Sequence, residues 1–311
     1  MNEIKYSIII PHKNSFDLLC KLLKSIPICD SYQVIVIDDN SEFHETEKLK
    51  NNAFNDNVKI LYNYNSEGAG KARNIGLKEA EGKWVLFADA DDFFSDGIEM
   101  LLEKYFESRC DIIYFGTTSN YIDTNKIAYR HERYMNLVND FINDNSKEDA
   151  LKYFYTPPWS KLIRRKIIEE NNIKFEEIIT SNDIYFSLKS AFYATSICAT
   201  SDILYNITVN YGSLTNSISL NHFDTRLNAA LRANKFLCSI NKKKYQQSVL
   251  YFLAKSYMFG FKYVILVCTK LFRNRSNLFI GMSKIFNIRK VLNQRENRNY
   301  LEKKVDNIED F

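Results

Sequence analysis

The sequence predicts an α/β protein: a mostly parallel, Rossmann-like sheet flanked by helices over residues 1–220, then a helical, basic region over 221–311. Three observations carry this prediction. Short apolar runs alternate with amphipathic stretches of helical period through the first hundred residues. Strands separated by helices of that length build parallel sheets covered on both faces. Charge also divides unevenly. Residues 221–311 hold 18 Lys and Arg against 6 Asp and Glu, a net of +12, while the preceding 220 hold 24 against 32, a net of −8.

In order, residues 6–10 read as a strand and 15–26 as a helix with Leu18, Leu19, Leu22 and Leu23 on one face. Residues 33–37 form a second strand, followed by a helix over 43–53. A third strand spans 58–62, and a helix over 69–80 is closed by Gly82. Residues 84–88 are a fourth strand, 97–106 a helix and 111–115 a fifth strand. The polar, aperiodic stretch 117–145 is expected to be a loop-rich excursion. Structure resumes near Trp159, with a helix over 183–193 and a strand over 203–209.

Hydrophobic content of 45% and charged content of 26% are those of a folded domain, and four prolines with nine glycines leave little room for long linkers. The first apolar run, Ile8-Ile9-Ile10 before Pro11, is too short for a signal peptide. Six cysteines (20, 29, 110, 198, 238, 268) lie far apart without a Cys-x-x-Cys pair, so free thiols in a reducing cytoplasm are expected instead of a zinc site or disulfides.

Chemistry gathers at the ends of strands. The apolar run ending at Phe87-Ala88 stops at Asp89, Asp91 and Asp92, three carboxylates within four residues. Like charges so crowded repel unless a cation sits among them, and Mg²⁺ or Mn²⁺ prefers such oxygen ligands. A solvated turn leading to a helix cap gives the same residues without a metal. The second strand also ends in acids, Asp38-Asp39-Asn40-Ser41, and in a parallel sheet both ends face one crevice. Gly68-Ala69-Gly70-Lys71-Ala72-Arg73 opens a helix. It is neither a Walker motif nor a dinucleotide fingerprint, since Asn65 and Ala72 occupy key positions. Lys71 and Arg73 there suit an anion or a plain solvated surface. The four histidines lack metal-ligand spacing, and His12 beside Pro11 reads as an incidental loop residue.

Taken together, Ser7-Ile8-Ile9-Ile10-Pro11 with Asn14, then Val36 to Ser41, then Gly70 with Ala72-Arg73-Asn74-Ile75-Gly76-Leu77, then Asp89-Ala90-Asp91-Asp92 closely resemble family 2 glycosyltransferases of the GT-A fold. Order and spacing agree over roughly the first two-thirds of the chain. The resemblance implies an inverting transfer of a sugar from a nucleotide sugar, a UDP-sugar by preference, with Mn²⁺ or Mg²⁺ on the diphosphate. It implies that Pro11 and Asn14 line the nucleotide pocket, that Asp39 contacts uracil or ribose, and that Asp89 and Asp91 form the Asp-x-Asp element with Asp91 nearest the metal. Trp159-Ser160-Lys161-Leu162 matches the family's Trp-x-Lys-Leu. Asp183 matches the catalytic base of a Glu-Asp pair, although Asn182 replaces the Glu. Ser213-Leu214-Thr215 is present, while Thr208 stands where relatives often carry Arg.

The expected partners are a nucleotide-sugar donor and a glycan or lipid-linked acceptor in surface polysaccharide synthesis, such as capsule or lipopolysaccharide. Alternatives are a sugar-phosphate nucleotidyltransferase, disfavoured by the missing triphosphate loop, and a non-catalytic membrane partner that keeps the fold. Residues 249–272 are apolar but punctuated by Lys255, Lys262 and Lys270, too often for a spanning helix. They suit a helix lying on an anionic membrane, packing on the catalytic domain, or pairing with a second copy. The expected location is cytoplasmic, peripheral at the inner membrane face. No nucleic-acid module accompanies the charge.

Overall fold

In the computed structural model, residues 3–65, 67–122, 124, 126–209, 219–274, 276, 277 and 280 are described. The chain divides into two compact units, 1–210 and 211–311.

The first unit is built on one eight-stranded sheet in the order β3-β2-β1-β4-β7-β6-β8-β5. Its strands are β1 (Tyr6–His12), β2 (Tyr32–Asp38), β3 (Val58–Tyr62), β4 (Trp84–Phe87), β5 (Phe93–Phe94), β6 (Ile112–Tyr121), β7 (Lys161–Arg164) and β8 (Ile197–Val209). β1 pairs in parallel with both β2 and β4, and β2 with β3. β7 runs antiparallel to β4 and β6, and β5 antiparallel to β8, so the far half of the sheet is mixed. Tyr6, Ile8, Ile9 and Ile10 are all fully buried, which is why β1 reads as a continuous apolar run instead of an alternating one.

Helices α1 (Phe16–Lys24), α2 (Phe43–Asn51), α3 (Ala69–Glu79) and α4 (Ile98–Tyr105) connect the early strands. α3 lies close on β1 and β2 because Gly76 has no side chain. A Cβ there would stand 2.5 Å from Ile9 Cγ2 and 2.8 Å from Ile37 Cδ1. The order 3-2-1-4 changes direction between β1 and β4, and ligand crevices in open α/β sheets form beyond the strand ends at such a point.

Residues 117–145 are not the loop expected. β6 continues to Tyr121, and α5 (Glu132–Asn143) follows. The strand hid because it is polar, and its hydroxyls are satisfied locally: Thr117 donates to the Tyr205 carbonyl (2.8 Å) and Ser119 to that of Ala128 (2.7 Å). α5 buries Val138, and Tyr134, Leu137 and Phe141 pack against the main core. The remaining helices are α6 (Glu148–Phe154), α7 (Arg165–Glu170) and α8 (Asp183–Tyr193).

The expectation of six free thiols also fails. Cys110 and Cys198 form a disulfide with Cα atoms 6.0 Å apart. The two are 88 residues apart in sequence, and only the parallel pairing of β6 with β8 brings them together.

The second unit holds α9 (Leu220–Ser239), α10 (Leu250–Lys255) and α11 (Phe261–Arg273) around a small core of Phe223, Leu227, Leu231, Phe252, Val267 and Leu271. The stretch 249–272 is not one helix: a 3-10 turn (Ser256–Phe259) and Gly260 at φ +91° separate α10 from α11. Among the described residues no helix is long and apolar enough to cross a membrane.

Candidate active site

The carboxyl ends of β1, β2 and β4 deliver the residues singled out from sequence. Pro11 stands in β1 opposite Ile37. Its neighbour His12 is buried, not an exposed loop residue. The Ser15 N–H donates to His12 Nε2 (3.3 Å), so the proton sits on Nδ1 and is donated to Asp38 (2.9 Å). Burial alone would push the Asp38 carboxyl up, but hydrogen bonds from His12 and Ser41 outweigh it and hold that carboxyl below its usual range. Asn14, in the left-handed region at φ 50°, donates its own N–H to the Ser41 hydroxyl (2.8 Å) and accepts from the Glu42 N–H (2.7 Å). It thus pins the β1 loop to the start of α2.

Asp39 is buried and accepts three N–H groups: Asn63 Nδ2 (2.7 Å), the Glu67 backbone (3.1 Å) and the Gly68 backbone (2.8 Å). These bonds fix the loop that opens α3. A carboxylate offers about four acceptor positions, and these three bonds use all but one.

α3 carries Arg73 inward. Its guanidinium donates to Asp89 and to Asn182 Oδ1 (2.9 Å), and stacks over the Phe175 ring at 5.3 Å. The end of β4, the face of α3 and the start of α8 are therefore joined by one side chain. Arg73 Nε is buried without a hydrogen-bond partner. Of the two cations read as suiting an anion or a solvated surface, Arg73 pairs with Asp89, while Lys71 pairs with Glu177 (3.1 Å) and lies 3.9 Å from Glu67.

The Asp89–Asp92 turn is clasped from β8. The Asp89 N–H donates to the Tyr205 hydroxyl (2.8 Å), that hydroxyl bonds Asp92, and the Thr208 N–H donates to Asp92 Oδ1 (2.6 Å). Thr208, in the expected Arg position, thus acts through its backbone. Burial, then the charges of Asp91 and Asp89, push the Asp92 carboxyl well up. Asp91 has a solvent-open surface but stands deep among its neighbours. Desolvation, followed by the Asp89 charge, raises its carboxyl to about 6, against an opposing pull from Arg130. Among the described residues no three His, Cys, Asp or Glu form a ready-made metal cluster. The donor set nevertheless fits a hard divalent cation that takes one or two carboxylates and fills its shell with phosphate oxygens and water. Asp91 is the open carboxylate; Asp89 beside it is partly neutralised by Arg73.

Asp183 is the first residue of α8. Burial raises its carboxyl above the ordinary range, partly offset by Arg73 and Lys161 and reinforced by Asp89. Lys161 is buried, donates to the Tyr155 carbonyl (2.6 Å), and lies over the rings of Tyr155 (4.6 Å) and Tyr114 (5.1 Å). Trp159 stacks on Tyr205 with centroids 5.7 Å apart. The Trp-x-Lys-Leu segment therefore backs the tyrosine that holds the Asp89 turn, and its lysine charge acts on Asp183. Sequence reading missed the roles of Tyr205 and Asp92. Ser213-Leu214-Thr215 lies outside the described residues.

A profile described as Glycosyl transferase family 2 matches residues 7–171. The chain is 29% identical over 214 residues to a Staphylococcus aureus poly(ribitol-phosphate) β-N-acetylglucosaminyltransferase, TarS, covering 65% of this chain but only 35% of TarS. It is 26% identical over 241 residues to a Borreliella burgdorferi cholesterol galactosyltransferase, covering 71% of this chain and 65% of that one. The crystal structure of TarS 1–349 in complex with UDP-GlcNAc superposes with a TM-score of 0.60 at 23% identity, covering 85% of this chain and 79% of that one. The sheet is thus the GT-A fold that the motifs implied. Because the family profile spans more than half of the sequence, the protein belongs to glycosyl transferase family 2.

Proposed function

We propose that the protein transfers a sugar from a UDP-sugar to a hydroxyl of a glycan or lipid-linked glycan acceptor in surface polysaccharide synthesis, with inversion at the anomeric carbon. The observation that carries this reading is the Arg73 bridge, which joins Asp89 to Asn182 at the start of α8, beside Asp183, whose carboxyl feels the charges of both Arg73 and Asp89. Family membership supports it, as does likeness to a fold crystallised with UDP-GlcNAc.

In this reading Pro11, Asn14 and Asp39 border the nucleotide, with the remaining acceptor position of Asp39 taking an N–H or hydroxyl of base or ribose. Asp91, with Asp89 beside it, would hold Mn²⁺ or Mg²⁺, which when bound neutralises charge on the diphosphate leaving group. Asp183 removes the proton from the acceptor hydroxyl as that oxygen attacks the anomeric carbon opposite the diphosphate. Its raised carboxyl makes it a stronger base than an ordinary aspartate. Asn182 serves as a neutral partner to Arg73, leaving the guanidinium charge to Asp89 and Asp183.

A donor screen with Mn²⁺ and a pool of acceptor glycans tests the proposal. Release of UDP with formation of a glycoside of inverted configuration is expected. Release of pyrophosphate, or no turnover or binding of any nucleotide sugar, would overturn it.

A further inference from the structure

Between residues 219 and 274 there are ten Lys and Arg but a single acidic residue, Asp224. Asp224 is already bonded to Lys270 (2.6 Å) and Tyr263 (2.9 Å) inside the unit. The second unit, residues 211–311, thus carries a net charge of +12, nine of it within 219–274. Its helix α11 turns Val267 and Leu271 into the small core, with Tyr263 packed against the same cluster. That packing explains one face of the helix.

A second, exposed flank of the helix is apolar as well. Phe261, Ile265, Cys268 and Phe272 recur at intervals of four, three and four, the spacing of a single helical stripe. Phe261 is 78% exposed, Ile265 53% and Phe272 88%. Lys262 and Arg273 stand one position further along, so the stripe is edged with positive charge at both ends. Exposed apolar side chains in a contiguous row mark an interaction surface more often than chance scatter does.

We infer that this outer face of α11 docks on an anionic lipid surface. Apolar residues enter the boundary between headgroups and acyl chains while flanking lysine and arginine meet the lipid charge. The same face of a second copy is a poorer occupant, because it brings the same basic excess of residues 219–274 to the contact and is repelled. Nucleic acid satisfies the charge but offers no apolar counterpart to the phenylalanines. The inference is independent of the sugar-transfer chemistry proposed above.

The test uses the full chain and vesicles of phosphatidylcholine with or without phosphatidylglycerol. Sedimentation with the anionic vesicles, weak association with the neutral ones and release at high salt are expected. I265S/F272S removes apolar area and lowers vesicle partitioning about a hundredfold. K262A/R273A lowers partitioning on anionic vesicles about thirtyfold and changes it little on neutral ones. These side chains are exposed, so unfolding transitions and UDP release should match wild type, which separates loss of docking from loss of fold or chemistry. Unchanged partitioning of the two variants, or equal binding to neutral and anionic vesicles, would overturn the inference. So would conversion of a dimer to a monomer by I265S/F272S with vesicle binding intact.

Discussion

Replacing Lys161 by Met removes a buried ammonium while nearly keeping the length of the side chain. Burial lowers the Lys161 pKa from 10.5 to about 7, with the Asp183 charge pulling the other way. At about 1.4 kcal/mol per pKa unit, the charged form is disfavoured by roughly 5 kcal/mol relative to the unfolded chain. A depressed lysine means that between those two values the unfolded chain keeps a proton that the fold has shed, so stability rises with pH across that window. Below pH about 7 the full cost is present; it fades toward 10.5. The thioether of K161M has no proton to exchange. The stability of wild type minus that of K161M should therefore climb by roughly 2 kcal/mol between pH about 7 and about 9. The offset at any one pH is less telling. K161M leaves the Tyr155 carbonyl without its 2.6 Å donor, at a cost of about 1–3 kcal/mol, and below pH about 7 also forfeits ring contacts to the cation worth about 0.5–2 kcal/mol. Urea unfolding followed by tryptophan fluorescence, with Trp84 and Trp159 both buried, gives the difference at each pH. A constant difference across the range would refute the reasoning, because it would mean that Lys161 titrates like an exposed lysine.

Three further outcomes follow from the same geometry. Y205F deletes the hydroxyl shared by the Asp89 N–H and the buried Asp92, and should cost about 1–3 kcal/mol of stability in thermal unfolding while weakening donor binding. Turnover should fall as pH drops through the raised Asp183 value, because the base must be ionised; the acid limb of kcat should lie above the ordinary carboxylate range. Apparent Mn²⁺ affinity, followed by titration of metal-stimulated turnover, should weaken as pH falls below about 6, where protons compete for Asp91.

Much of the fold is legible in the sequence because β1, β2 and β4 are buried on both faces and the helices between the early strands keep a clean period. β1 to β4 and α1 to α4 fall within a few residues of the predicted bounds. β6 escapes because the sheet tolerates its polar residues only through hydroxyl contacts made 9 and 88 positions away in sequence. The disulfide escapes for the same reason: strand pairing, not cysteine spacing, brings Cys110 to Cys198. At the site, the strand pattern puts the acids where they stand, at the carboxyl ends of β2 and β4. It does not announce that Arg73 turns inward to Asp89, which depends on how α3 packs beside the end of β4, or that Lys71 turns to Glu177, which depends on the loop before α8. Asn14 reads as a pocket residue from the motif and His12 as incidental, yet each holds neighbouring backbone in place.

The most direct measurement compares wild type with D183N by calorimetry of UDP-sugar binding in the presence of Mn²⁺, and by turnover on a glycan acceptor. The account predicts that D183N binds the donor nearly as tightly as wild type but loses turnover about 10²–10⁴-fold, the usual worth of a positioned base. Turnover close to that of wild type in D183N would contradict it.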